Sequence, residues 1–211
     1  MNKAFSAGWL MAGLGAFALV GAASSDARAC GGEWVPAVEI DHRPEGIARA
    51  EKLLDKGQDA QAAAMVIRMM PHIRGLKAEK STLVARAQRI LAVTTARSGG
   101  SLKVGAEVPD YAQGTWLGQT EKARAANMEW SITALRSINT TKGDDPGVQS
   151  DLAEAMSKVA AHKSEAKELL EKLAQKDLIA SPEAYAALAE LRAEAGDSAG
   201  QKVALKRCES M

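Results

Sequence analysis

"SPEAYAALAELRAEAGDSAGQKVALKRC", residues 181–208, is the stretch that decides the fold. Ser181-Pro182-Glu183 reads as a helix start. A hydroxyl can accept from the first turn, a proline suits the first helical position, and an acid faces the positive end of the helix dipole. Tyr185, Leu188, Ala189 and Ala195 then recur at helical spacing until Gly196 stops the run. Asp197 caps a final helix holding Val203, Ala204, Leu205 and Cys208. Two short amphipathic helices joined by so tight a turn must bury their apolar stripes against each other and against a neighbour.

The neighbours are legible upstream. Residues 152–173 align on 188–209, pairing Leu152-Ala153-Glu154 with Leu188-Ala189-Glu190 and Leu169 with Leu205. Tyr185-x-x-Leu188-Ala189 followed by Gly196-Asp197 at the turn resembles a tetratricopeptide repeat, and Gly57 in "DKGQDAQAAA" is similar to the same turn in a first hairpin. Three features depart from that pattern: Ala161-His162 stand where a turn glycine would, Arg192 replaces a late aromatic, and a loop splits the middle hairpin. The resemblance covers residues 150–209 and more weakly 44–74. It implies a stack of antiparallel helical hairpins whose concave groove takes a protein or peptide partner.

Periodicity fills in the remaining helices. Ile47, Ala50, Leu53 and Leu54 form one face after Pro44, ended by Gly57. Asp59 is expected to cap the next helix, with Ala63, Ala64, Ile67 and Met70, which ends at Pro71. Ser81 opens a third, carrying Leu83, Ala87, Ile90, Leu91 and Thr94; its Arg86, Arg89 and Arg97 are expected on a solvated face. Residues 99–115 carry Gly99, Gly100, Gly105, Pro109 and Gly114 and read as a long loop, with a short strand at 102–104 and the place to look first for a site. A two-faced helix follows over 115–139, with Trp116 and Trp130 on one side. Asp145 caps a helix begun by Pro146, Glu168 and Lys172 pair along a later one, and Ser164 is expected as that helix's cap.

Residues 1–29 have the order of a secretory leader: Lys3, an uncharged run from Ala7 to Ala23, then Ala27-Arg28-Ala29. Its removal would expose Cys30 and leave 25 basic and 25 acidic residues from the chain's 27 and 26, because it holds Lys3, Arg28 and Asp26. A neutral chain with few aromatics offers neither a polycationic field for nucleic acid nor a base-stacking platform. Cys30 and Cys208 form a candidate disulfide spanning nearly the whole remaining chain, while Cys208 alone reads as a small core residue beside Ala204 and Leu205. Lipid attachment at Cys30 is the alternative. Ala29 fits it and the charge on Arg28 does not, so a bridge or a free N-terminal cysteine is favoured.

Chemistry motifs are sparse. His42, His72 and His162 are scattered, and no two sit at metal-ligand spacing. Ser164-Glu165-Ala166-Lys167 matches Ser-x-x-Lys without the companion motifs of penicillin-binding proteins, and Asn139-Thr140-Thr141 is a glycosylation sequon only for a eukaryotic exporter.

The expected protein is all-α: leader 1–29, extended arm 30–43, and helical-repeat domain 44–211 with the loop insertion. It is expected to act as a non-catalytic scaffold of the periplasm, cell envelope or exterior, with no cofactor or metal. A structural lipoprotein anchored at Cys30 is the alternative, and only that case brings in a membrane. Less favoured is an enzyme using Asp110, Tyr111 and His72. Intact mass of the exported protein, with and without reduction and alkylation, separates the cysteine readings. A start at Cys30 with two thiols appearing only on reduction is the expected result; an added diacylglyceryl mass contradicts it.

Overall fold

The computed structural model describes residues 40–105, 108–143 and 145–211, and residues 40–211 make one compact unit. The leader, Cys30 and the arm up to residue 39 lie outside the described residues. Among the described residues nine α-helices follow in order: α1 Arg43–Asp55, α2 Asp59–Met69, α3 Thr82–Arg97, α4 Asp110–Gln113, α5 Glu121–Lys142, α6 Pro146–Ser157, α7 Lys163–Gln175, α8 Pro182–Glu194 and α9 Ser198–Glu209. Short 3-10 turns at Ile73–Gly75, Ala78–Lys80 and Ala160–His162 punctuate them. Among the described residues there is no strand; Leu102 to Val104, expected as one, is irregular.

The helices pair as α1/α2, α3/α5, α6/α7 and α8/α9. First helices of successive pairs also touch, α1 on α3, α3 on α6 and α6 on α8, and each second helix packs on the next pair's first. This is the register of a hairpin stack. It leaves α1, α3, α6 and α8 sharing one layer.

The turns explain the stack's sequence economy. After α1, Gly57 has φ 68°, its N–H bonds the Leu54 carbonyl and the Gln58 N–H bonds that of Leu53. The same two-bond closure follows α8 at Gly196-Asp197 and α3 at Gly99-Gly100. It also ends α7, where Asp177 holds φ 54° without being glycine. Thr120, Asp145, Ser181 and Asp197 cap their helices with side-chain hydrogen bonds, as expected for the last three. Asp59 and Ser164 do not cap. Gln58 and His162 occupy those positions, and Asp59 turns instead toward Arg97.

The core is built largely from Ala, Leu, Ile, Val and Met in two main clusters. Helix α3 serves both: Val84, Ala87, Ile90 and Leu91 lie in one, Ala92, Val93 and Ala96 in the other. Leu205, expected beside Cys208 in the core, is exposed with Val203; Cys208 is half-buried and packs against the cluster.

The interrupting loop is anchored. Leu102, Val108, Ala112 and Trp116 are buried, and α4 sits within it. Trp116 precedes α5, which begins only at Glu121, yet its ring meets Trp130 edge-on with centroids 4.9 Å apart. The Leu102 N–H bonds the Trp116 carbonyl at 2.9 Å, Ser101 Oγ bonds that of Leu117, and buried Asn127 Nδ2 donates to the carbonyls of Gly100 and Thr115. The two loop ends therefore close on α5 at Gly100 and Gly118, both at positive φ. A side chain at Gly100 would strike the Arg124 backbone.

Gly57 and Gly100 thus separate two costs. At Gly57 an added methyl meets nothing, so Gly57→Ala should lose only the left-handed backbone penalty of about 1 kcal/mol. Gly100→Ala should lose clearly more in the same urea titration. Equal losses would mean that the close approach to α5 does not constrain the loop.

Candidate functional site

Helix α6 is unusual in carrying its only charges, Asp151 and Glu154, in an apolar setting of Val148, Leu152, Ala155 and Met156. Three residues apart, they share a face and point at α3. Both are buried, Glu154 at 2 % exposure and Asp151 at 7 %. Buried carboxylates need partners, and α3 supplies them. Arg89 Nε lies 2.5 Å from Asp151 Oδ2, and Arg97 grips Glu154 in a fork, Nε to Oε1 at 3.0 Å and Nη2 to Oε2 at 3.2 Å. Arg97 further reaches Asp59 of α2 at 3.5 Å and Glu183 of α8 at 3.2 Å. At the other end of α3, Arg86 binds Glu51 of α1 through two bonds, at 2.7 and 2.5 Å. The three arginines expected on a solvated face are therefore cross-links. With Val93 between them they form one stripe, which α1 and α6 cover with acids.

Two cavities flank Arg97 on this face. One of about 220 Å³ lies among Leu54, Asp55, Arg89, Val93 and Asp151, closed by Ser181 and Pro182. The other, about 310 Å³, lies among Gly57, Asp59, Ser157, Lys158, Glu183 and Glu190. Carboxylates outnumber cations around the pair, six against three.

The electrostatics follow from burial. Desolvation pushes the Asp151, Glu154 and Asp59 carboxyls above their ordinary values, with the arginines pulling them partly back. Burial opposes the charge on Arg97, and hydrogen bonding to Glu154 with the surrounding carboxylates overcomes it, leaving Arg97 more basic than usual. Where pairing is more exposed the balance reverses: Arg86 lowers Glu51, and Arg192 lowers Glu171 through bonds at 2.9 and 2.5 Å. Removing Arg97 costs on the order of 3–5 kcal/mol, because the buried Glu154 carboxylate is left without its partner.

The loop expected to hold a site is only partly convergent. His72 and Tyr111 line a common pocket beside Arg74 and Trp116, but Asp110 is not part of its wall. Cys208 sits far along the chain on α9, and Cys30 is outside the described residues. Among the described residues no group of three or more His, Cys, Asp or Glu side chains is placed to hold a metal ion, and no helix is long and apolar enough to cross a membrane. The acid–base layer went unread because arginines at 86, 89 and 97 look alike whether solvated or paired. The available signal was the pair of acids on apolar α6.

The opposite shifts of Glu154 and Glu171 give opposite pH dependences. Glu154 has a raised folded value, so its contribution is complete below about pH 4 and is lost as pH rises through that value. Glu171 has a lowered one, so its contribution is present above about pH 4 and is lost as pH falls through it. On acidification from neutrality, urea denaturation should show the wild type gaining stability relative to Glu154→Gln and losing it relative to Glu171→Gln. A common drift would contradict the assignment. Compared with models of known protein families, with curated proteins and with solved structures, the chain matches none.

Proposed function

We propose that this chain is a non-catalytic, tetratricopeptide-like scaffold of the periplasm or cell envelope that holds a protein or peptide segment along the layer made by α1, α3, α6 and α8. The carrying observation is the continuity of that layer: two cavities lie side by side across helices from all four hairpins, with Arg97 between them. Hairpin stacks use such shared faces as binding grooves, since each repeat adds a strip of surface in fixed register. The acid surplus around the cavities favours a partner with basic side chains, through steering and through pairing with Asp55, Glu183 and Glu190. Export rests on the leader sequence of residues 1–29.

Asp55 and Glu190 are exposed and form no part of the Arg97 cluster, so their charges can be reversed without stranding a buried group. Tagged full-length protein should enrich a defined set of proteins from envelope extract. Asp55→Lys/Glu190→Lys should lose that set while keeping the wild-type melting temperature. No specific enrichment, or enrichment indifferent to the reversal, would refute the groove as the binding face.

A further inference from the structure

Arg74 differs from the other partly buried arginines. Arg86, Arg89, Arg97 and Arg192 each meet a carboxylate. Among the described residues no carboxylate forms an ion pair with Arg74. Its guanidinium lies instead against two indoles, 5.0 Å from the Trp116 ring centroid and 5.3 Å from that of Trp130. Nη1 donates to Asn127 Oδ1 at 2.7 Å. Burial lowers its basicity, and among the described residues no anion opposes the effect. The Arg74 head is thus oriented by a rigid amide and two aromatic faces. Asn127 is itself fixed by its bonds to the loop carbonyls, so it cannot swing away. One acceptor satisfies only part of the five-donor fork.

The fork borders a pocket of about 350 Å³ between the α2–α3 connection and the anchored loop. Its wall divides by chemistry. Arg74, His72 and Thr115 offer polar groups, whereas Pro71 and Tyr111 offer apolar surface; Trp116, buried beneath Arg74, forms the base. Tyr111 is 69 % exposed, on a short helix whose neighbour Ala112 is buried. Its ring is held at the pocket edge by the backbone without being packed into the core.

We propose that this pocket binds a small carboxylate with an apolar body, the carboxylate on the Arg74 fork and the apolar body against Tyr111 and Pro71. A planar fork matches a carboxylate through two parallel bonds, and a partly desolvated cation with no carboxylate partner among the described residues gains most from acquiring one. The volume exceeds what an inorganic anion would fill, and the Tyr111 ring and Pro71 leave the remainder to an apolar group. The carboxylate belongs to a free organic acid or to the C-terminus of a peptide. Both use the same fork, and the pocket is separate from the α1/α3/α6/α8 layer.

Titration calorimetry on the full chain tests the assignment with 3-phenylpropionate, its neutral amide, inorganic phosphate, and a tripeptide ending in Phe with a free or amidated terminus. Binding of 3-phenylpropionate at least tenfold tighter than its amide is the expected result, accompanied by a change in tryptophan fluorescence. Tighter binding of the free-terminus peptide than of 3-phenylpropionate would identify a chain terminus as the source; the reverse order would identify a free acid. Arg74→Lys should weaken binding tenfold or more by losing the fork. Tyr111→Ala, an exposed substitution, should weaken it several-fold with the melting temperature unchanged, and remains informative if the Arg74 variant fails to fold. Equal binding of acid and amide, binding of phosphate alone, or no binding of any probe overturns the proposal.

Discussion

Arg97 stands on the last turn of α3, and its guanidinium meets one carboxylate from each of the three other hairpins: Asp59 of α2, Glu154 of α6 and Glu183 of α8. Apolar contacts between helix pairs are close-packed but non-directional. A fork of five fixed donors has direction. Here it demands that carboxylates from different repeats arrive at one point, which pins the register of the whole layer. Arg89–Asp151 and Arg86–Glu51 repeat the device along the same helix. Such pairs need not add net stability over an apolar replacement, since desolvation offsets the attraction.

Helix α3 could take this role because it lies between the two main apolar clusters. Eleven of its sixteen residues are buried, including Gln88, Thr94 and Thr95. Gln88 donates its amide to the carbonyls of Ile73 and Leu76, which ties the 3-10 connection preceding α3 back onto the helix. That connection carries Arg74, so the same helix sets both the acid–base layer and the pocket beside Arg74. The loop insertion belongs to the second arrangement. Closed at its ends by Leu102–Trp116 and by Asn127, it delivers Trp116 to Trp130 from outside the helix on which the spacing of the two residues had placed them.

Local signals were read where the cause is local. Pro146, Pro182, Asp145, Ser181 and Asp197 start helices through bonds made within one turn, and Gly57 and Gly196 end them through a backbone conformation that most side chains resist. Asp59 and Ser164 have the right chemistry for caps and are not caps, because one-residue shifts in a helix start cost little and tertiary partners decide them. Asp177 does a glycine's task at φ 54°, helped by its bond from the Tyr185 hydroxyl and its pair with Arg207. Nothing in the hexapeptide around it announces that.

The sequence by itself determined the all-α class, the helix pairs and most of their turns, since hydrophobic period and capping chemistry act over distances of a few residues. It also marked the 99–115 segment as different. Tertiary structure alone decided which charges are solvated and which are buried, because Arg86, Arg89 and Arg97 acquire their partners from residues as far apart in sequence as Glu51, 35 positions from Arg86, and Glu183, on the other side of α6 and α7 from Arg97. It likewise decided that Arg74 would rest on two tryptophans. A charge's environment depends on what the fold brings to it, and one chain's pattern of arginines carries no record of that distance.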